Sequence, residues 1–463
     1  MPQLATAPGA SGAPARTRRT RPAATLAVTG AATAVALMNY TAPMLTLPDT
    51  AAAFGTPDSA RAWLLNGTPL GLAVLLLVAG SLADAHGRRR VFLLGTLALG
   101  VTTGLGAFAG STLTFTLARI AQGAASAAVL AGSLGLLADA YPSGRDRIRA
   151  TGIWGASVSG GIALGPLLAG ALSLVDWRLA YEVLGLAALV TAAAGARALG
   201  PDTAERPRQA RPDIPGALAL GLALAALLTA LTLGRDGWLR APVGLLFLAA
   251  AVLTAVFVAI EHRSRTPMVD LALLRRPAFL ASTLGALFTG LAVIGLFSVV
   301  PALLQSGAGM SPLGAAGLFV LWSGTAFVVA LQARRLATRL SAAYQLTLGF
   351  TLSATGVLAL LGGLEGPWPR LLPGLLVAGA GSGLLNAALP RLAVDSVPPE
   401  RAAMGSGANN TARYIGSAAG VALTLALTTA GPDAALLVSA GLALSGAAIT
   451  LVLGRRPERR PRR

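Results

Sequence analysis

Hydrophobic residues in this chain come in long unbroken runs, with neither the alternation of strands nor the half-polar stripe of a soluble helix. The run from Ile214 to Gly234 carries no charge and is bracketed by Asp213 and Arg235. A helix needs about 20 apolar residues to cross the hydrocarbon core of a bilayer, so each run of that length predicts one span. The pattern predicts fourteen spans, near 24–47, 62–83, 91–110, 112–138, 150–173, 179–199, 214–234, 241–260, 278–304, 311–333, 342–363, 370–390, 406–430 and 434–454. Turn residues separate them, as at Gly110-Ser111 and Gly431-Pro432-Asp433. A secretory signal peptide is the competing reading of the first run. That run is too long for one, and thirteen more follow it.

Composition and charge support the same picture. Of 463 residues, 54% are hydrophobic and 12% charged, about half the charge of a soluble domain. There is no polar surface here for a soluble protein of this length. Cysteine is absent, which excludes disulfides and thiolate sites, and the histidines are His86 and His262 alone. No metal, no cofactor and no catalytic cluster is therefore expected. The net charge of +18 comes entirely from arginine. With the N-terminus inside, 29 arginines fall in inner loops and tails, while Arg61, Arg178, Arg235, Arg240 and Arg370 fall in outer loops. This is the positive-inside asymmetry of a multi-pass membrane protein. It predicts both termini in the cytoplasm and a plasma (inner) membrane location. Membrane lipid is an expected partner and nucleic acid is not, because aromatics are only 5% and no contiguous basic face is formed.

Chemistry-bearing residues concentrate at a few places. The turn between spans 2 and 3 reads Gly80-Ser81-Leu82-Ala83-Asp84-Ala85-His86-Gly87-Arg88-Arg89-Arg90. Its glycines allow a tight turn and close helix approach, and Asp84 has arginines within reach, as in a latch made and broken during a conformational cycle. Span 4 carries Arg119 with Gln122 and Gly123, and span 5 carries Gly161, Gly165, Pro166 and Gly170. Those three glycines form a groove for a neighbouring helix, and the proline frees a carbonyl. An arginine inside lipid costs at least about 2.5–3.5 kcal/mol. Arg119 either faces a cavity with a partner or snorkels to the outer interface. Arg413, beside Asn409 and Asn410, is a second polar site, with interhelical hydrogen bonding as its alternative role.

These motifs resemble those of the major facilitator superfamily. The turn is similar to its signature loop, Leu117–Gly123 to its intramembrane arginine motif, and Gly161–Gly170 to the antiporter motif of drug exporters, with Ala169 in place of a glycine. Trp63, the segment Glu261–Pro267 and the span count resemble the fourteen-helix drug/proton antiporter branch. The resemblance implies an all-α membrane fold of two six-helix bundles, 23–200 and 263–454. Two inserted helices and a linker lie between them at 201–262, and basic tails at 1–22 and 455–463. It also implies a monomeric exporter of lipophilic small molecules such as antibiotics or secondary metabolites, exchanging them for protons, with Arg119 in coupling. The turn Ala333–Leu340 faintly echoes the signature loop, with Thr338 in the place of Asp84.

The pattern breaks at Asn39, where the branch usually carries an aspartate; Thr41 and Pro48 fix the position. None of the eighteen acids lies deep in a span. Glu182, Asp84 or Asp139 remains as a proton carrier, with pairing to Arg178 as the other reading of Glu182. The expected cavity residues are Asn39, Asn66, Arg119, Gln122, Asn386, Asn409 and Arg413. That set suits a neutral or anionic lipophile better than a dication. An uptake permease of the same fold is the nearest alternative. A membrane-embedded enzyme is disfavoured for want of a metal or nucleophile cluster.

Overall fold

The computed structural model describes residues 22–141, 144–200, 213–234, 237–264, 271–337, 340–397 and 402–454, with no strand among them. The expected tails, most of the 201–213 linker and Thr338 lie outside the described residues. Sixteen α-helices follow in order: α1 Pro22–Thr41, α2 Pro43–Ala53, α3 Arg61–His86, α4 Arg88–Ala107, α5 Thr112–Ala140, α6 Gly144–Leu172, α7 Arg178–Ala198, α8 Ile214–Gly234, α9 Ala241–Arg263, α10 Pro277–Phe288, α11 Gly295–Ser306, α12 Pro312–Ala337, α13 Ala342–Leu358, α14 Leu372–Asp395, α15 Ala402–Leu427 and α16 Pro432–Gly454. Among the described residues, eleven helical stretches are long and apolar enough to cross a membrane, by length and composition. The remaining expected spans fall on α3, α13 and α15.

Local chemistry explains where the helices depart from straight spans. The first run bends rather than ends: Ala42 keeps helical angles, and Pro43, which has no N–H to donate, opens α2. The ninth run contains a π-helical segment, Thr289–Ile294, between α10 and α11. Such segments recur at functional sites because they re-aim the residues that follow. The expected span at 342–363 is shorter as a helix, ending at Leu358, with turns following.

Small residues set the packing. α3 lies so close to α5 that a Cβ on Gly71 would strike the Ile120 carbonyl, and one on Gly123 would strike that of Thr68. The π segment is equally close to α15, with Gly290 against the Arg413 carbonyl and Gly420 against that of Leu291. In lipid, where apolar contact alone does not drive helices together, such backbone approach is a main source of association. α8 touches both α3 and α15 and carries α9 on its far side. α9 is outermost, with Leu245, Leu248, Val252 and Val256 all exposed. Those side chains are at home against acyl chains.

Candidate functional site

A cavity lies between the middle stretches of α1, α2, α6, α11, α12, α14 and α15. Its walls are mainly aromatic and aliphatic. The Phe297 and Trp322 rings stack with centroids 4.3 Å apart and planes 9° from parallel, while Tyr40 meets Tyr414 edge-on at 5.8 Å. The Tyr40 hydroxyl is 2.9 Å from Ser417 Oγ, which ties α1 to α15. Polar groups come from Ser298, Ser323, Ser382 and Asn386.

Arg413 is the charged member of the described lining, and no carboxylate accompanies it. The π segment presses on its backbone carbonyl. Its Nη2 donates to Asn410 Oδ1 at 2.8 Å, and its Cζ lies 5.5 Å from the Tyr414 ring centre. Its Nε is buried with no hydrogen-bond partner, as are Trp322 Nε1 and Ser323 Oγ of α12, which lines the same cavity. A buried donor left unmet costs about 1–3 kcal/mol. Three such groups around one cavity are therefore noteworthy.

Arg119 is fully buried on α5 and does not snorkel. Nη1 donates to Gln122 Oε1, one helical turn on, and Gln122 Nε2 donates to the Thr102 carbonyl on α4 at 3.3 Å. The guanidinium lies 5.9 Å from the Tyr181 ring centre, and its Nε and Nη2 have no hydrogen-bond partner. Gly67 and Gly123 bring α3 against this segment, and Thr68 Oγ1 donates to the Arg119 carbonyl at 3.2 Å. The cluster is backed by Tyr181, whose hydroxyl is 2.8 Å from Thr46 Oγ1. Arg119 is outside the cavity lining.

The other expected residues separate. Asn39 is buried in the seam between α1 and α4, where its Oδ1 accepts from Thr103 Oγ1 at 3.2 Å and its Nδ2 donates to the Val35 carbonyl. Asn66 donates to the Ala418 carbonyl at 2.9 Å, and Asn409 donates to Ser282 Oγ at 2.9 Å. Asn386 and Arg413 line the cavity. Glu182 is exposed on the face of α7 that turns away from buried Tyr181. In the span 5 groove, Gly161 and Gly165 receive α1 at Ala34 and Met38, and Gly170 receives α12 at Pro312. Pro166 is buried, and the carbonyl it leaves unbonded belongs to Ile162, a cavity residue.

The arginine turn is built differently from the expected latch. Gly87 has φ +99°, a conformation that favours glycine, and it separates α3 from α4. Gly80 meets nothing that a Cβ would touch, so close helix approach does not explain it. Arg88 Nη1 donates to the Gly135 carbonyl and to Asp139 Oδ1, both at 2.9 Å, at the end of α5. Arg89 donates to the carbonyls of Ala196 and Leu199, at the C-terminal end of α7, where a cation suits the helix dipole. Arg90 is exposed, and the side chain of Asp84 lies outside what is described.

The sequence model of the Major Facilitator Superfamily matches residues 29–421. The chain belongs to that superfamily. Among major facilitator relatives, it is 32% identical to the multidrug resistance protein Stp of Mycobacterium tuberculosis, over 86% of this chain and 74% of that one. It is 31% identical to the puromycin resistance protein pur8 of Streptomyces alboniger, over 90% of this chain and 83% of that one. The fold is shared with an auto-inhibited peptide transporter of the POT family at a TM-score of 0.67 and 15% identity, covering 95% of this chain and 99% of that chain. A bacterial homologue of the lysosomal transporter Spinster, inward-facing and occupied, gives a TM-score of 0.66 at 15% identity, over 93% and 96% of the two chains. The chain is thus a membrane transporter of major facilitator type, as the sequence motifs imply.

The sequence did not mark Tyr40, Tyr181, Phe297, Trp322 or the π segment. Gly290, Gly295, Gly416 and Gly420 were the available signal. In each pair the glycines are four or five apart, and this marks where α15 and the ninth run approach.

Proposed function

We propose that the protein exports lipophilic small molecules, of the drug or antibiotic kind, across the plasma membrane by alternating access coupled to proton entry. On this reading it is a monomer of fourteen spans with both termini in the cytoplasm. Two six-helix bundles rock about a mid-depth site, and α8 and α9 are inserted between them. The observation that carries it is the cavity itself: mid-depth, aromatic, and walled by helices from both halves of the chain. Relatives that cover most of its length are named for multidrug and puromycin resistance.

Among the described residues, three side-chain hydrogen bonds join the halves. They are Asn66 to Ala418, Gln305 to Leu45 at 3.0 Å, and Tyr40 with Ser417. Each lies at mid-depth or toward the end away from the arginine turns. This supports a state open toward the arginine-rich, cytoplasmic side. The Gly80–Arg90 turn would then act as the gating element, with Arg88 and Arg89 holding α5 and α7 in register while the bundles move. Arg119 and Gln122 form the coupling cluster.

The test is a resistance panel in an exporter-deficient strain, including puromycin, neutral and acidic antibiotics and quaternary ammonium dyes, with and without a collapsed proton gradient. Protection that disappears with the gradient is expected for the neutral and acidic compounds. Protection that persists would remove proton coupling. Substrate accumulated in right-side-out vesicles would make the protein an uptake permease.

A further inference from the structure

We infer that the central cavity selects an aromatic or similarly flat lipophile carrying an anionic group, and that Arg413 is its charge anchor. The inference rests on the proposed export function only for where the ligand goes, and not for what binds.

The argument concerns hydrogen-bond sense. The indole Nε1–H of Trp322 and the Nε–H of Arg413 only donate; neither can accept. Both are buried without a partner and belong to residues lining the same cavity. Any group that pairs with either must therefore be an acceptor. Arg413 also brings a full positive charge to a mostly apolar space whose described lining holds no carboxylate. At low dielectric an uncompensated charge repels cations and attracts anions much more strongly than in water. The Asn410 oxygen takes one Nη2 proton and Nε is buried, so the half-buried side chain meets the cavity through its terminal guanidinium nitrogens. A carboxylate, phenolate or sulfonate oxygen placed there makes a charge-assisted bond.

The rest of the ligand is set by the aromatic lining of α11 and α12. Phe297 stacked on Trp322, with Phe319 tilted against Trp322 at 5.3 Å, offers a flat aromatic surface. Ser382 and Asn386 can donate to further acceptors around a ring system, while the Ser298 hydroxyl already donates to the Ile294 carbonyl at 2.7 Å. No other described group in the lining would neutralise Arg413 from within the cavity, so the charge that resolves it arrives with the ligand.

Three probes with the same ring and chain separate the possibilities: 1-pyrenebutyrate, 1-pyrenebutyramide and 1-pyrenebutylamine. Equilibrium binding to the full chain in phosphatidylcholine nanodiscs, corrected against empty nanodiscs, is the measurement. The butyrate is expected to bind about tenfold or more tighter than the amide, and the amine is expected to bind most weakly. Arg413→Gln should bring butyrate and amide to within about threefold, chiefly by weakening butyrate. Arg413→Lys should restore part of the preference, because it keeps the charge but not the planar fork. Amine binding as tight as butyrate, an unchanged ratio in the glutamine variant, or no saturable butyrate binding to the wild-type protein would each overturn the inference. If Arg413→Gln fails to fold, the order of the three probes on the wild-type protein still decides. Binding is blind to direction and coupling, so export and anion selection can fail separately.

Discussion

At the scale of single residues, the interior holds two guanidinium groups in different circumstances. Arg413 faces the cavity, whereas Arg119 is locked into a packed cluster by Gln122, the Tyr181 ring and the glycines of α3. A lysine in place of Arg119 keeps the charge but cannot reach Gln122 and Tyr181 with a planar fork. Arg119→Lys should therefore lower substrate export at least about tenfold while the amount of protein in the membrane stays within about twofold. Transport assays normalised to immunoblots would measure this, and export at the normal rate would remove Arg119 from the mechanism. The sequence showed that Arg119, Asn39, Asn66 and Asn409 were at membrane depth. It did not show which way each pointed, because helices apolar on every side have no polar face to orient them. Asn39 and Asn409 accordingly proved to be seam residues, bonded to Thr103 and Ser282.

Elements meet where side chains are missing. Gly123 sits against the Thr68 carbonyl and Gly71, so even a methyl group there must push α3 from α5. Overpacking of this kind costs about 1–3 kcal/mol. Gly80 is also helical, yet nothing lies near the position its Cβ would take. An alanine there should be neutral or stabilising by up to about 0.5–1 kcal/mol. Gly123→Ala is thus expected to lower the temperature at which detergent-solubilised protein aggregates, and Gly80→Ala to leave it level or raise it. Fluorescence-detected size exclusion after heating would show the difference. The reverse order would mean that Gly80, and not the α3–α5 seam, is the critical approach. The spans themselves were readable because hydropathy is a local property. The bend at Ala42 could be inferred from Pro43, but the π segment could not. Its sequence, Thr289–Ile294, is as apolar as an ordinary helix, and it coincides with the close approach of Gly290 to α15, a contact between segments far apart in the chain.

Over the whole molecule, the proposed alternating-access cycle has the two halves part at one end as they close at the other. Asn66 of α3 and Ala418 of α15 are bonded across that divide, toward the end away from the arginine turns. Charge asymmetry in the sequence told which loops share a side. The opening of the cavity depends on side chains far apart in the chain and was not legible. The protein has no cysteine, so a pair introduced by Asn66→Cys and Ala418→Cys carries its only thiols. A short bifunctional thiol reagent should join them and hold that end closed. Export from vesicles should then fall to background while each single-cysteine variant, treated in the same way, keeps its activity. A cleavable disulfide-containing linker should allow reductant to restore transport, which separates a blocked motion from damaged protein. Binding of 1-pyrenebutyrate should survive the cross-link, because on the proposed reading the cavity stays open at the arginine-rich end. Cross-linked protein that exported at its normal rate would mean that α3 and α15 move as one body, and the hinge would have to lie elsewhere.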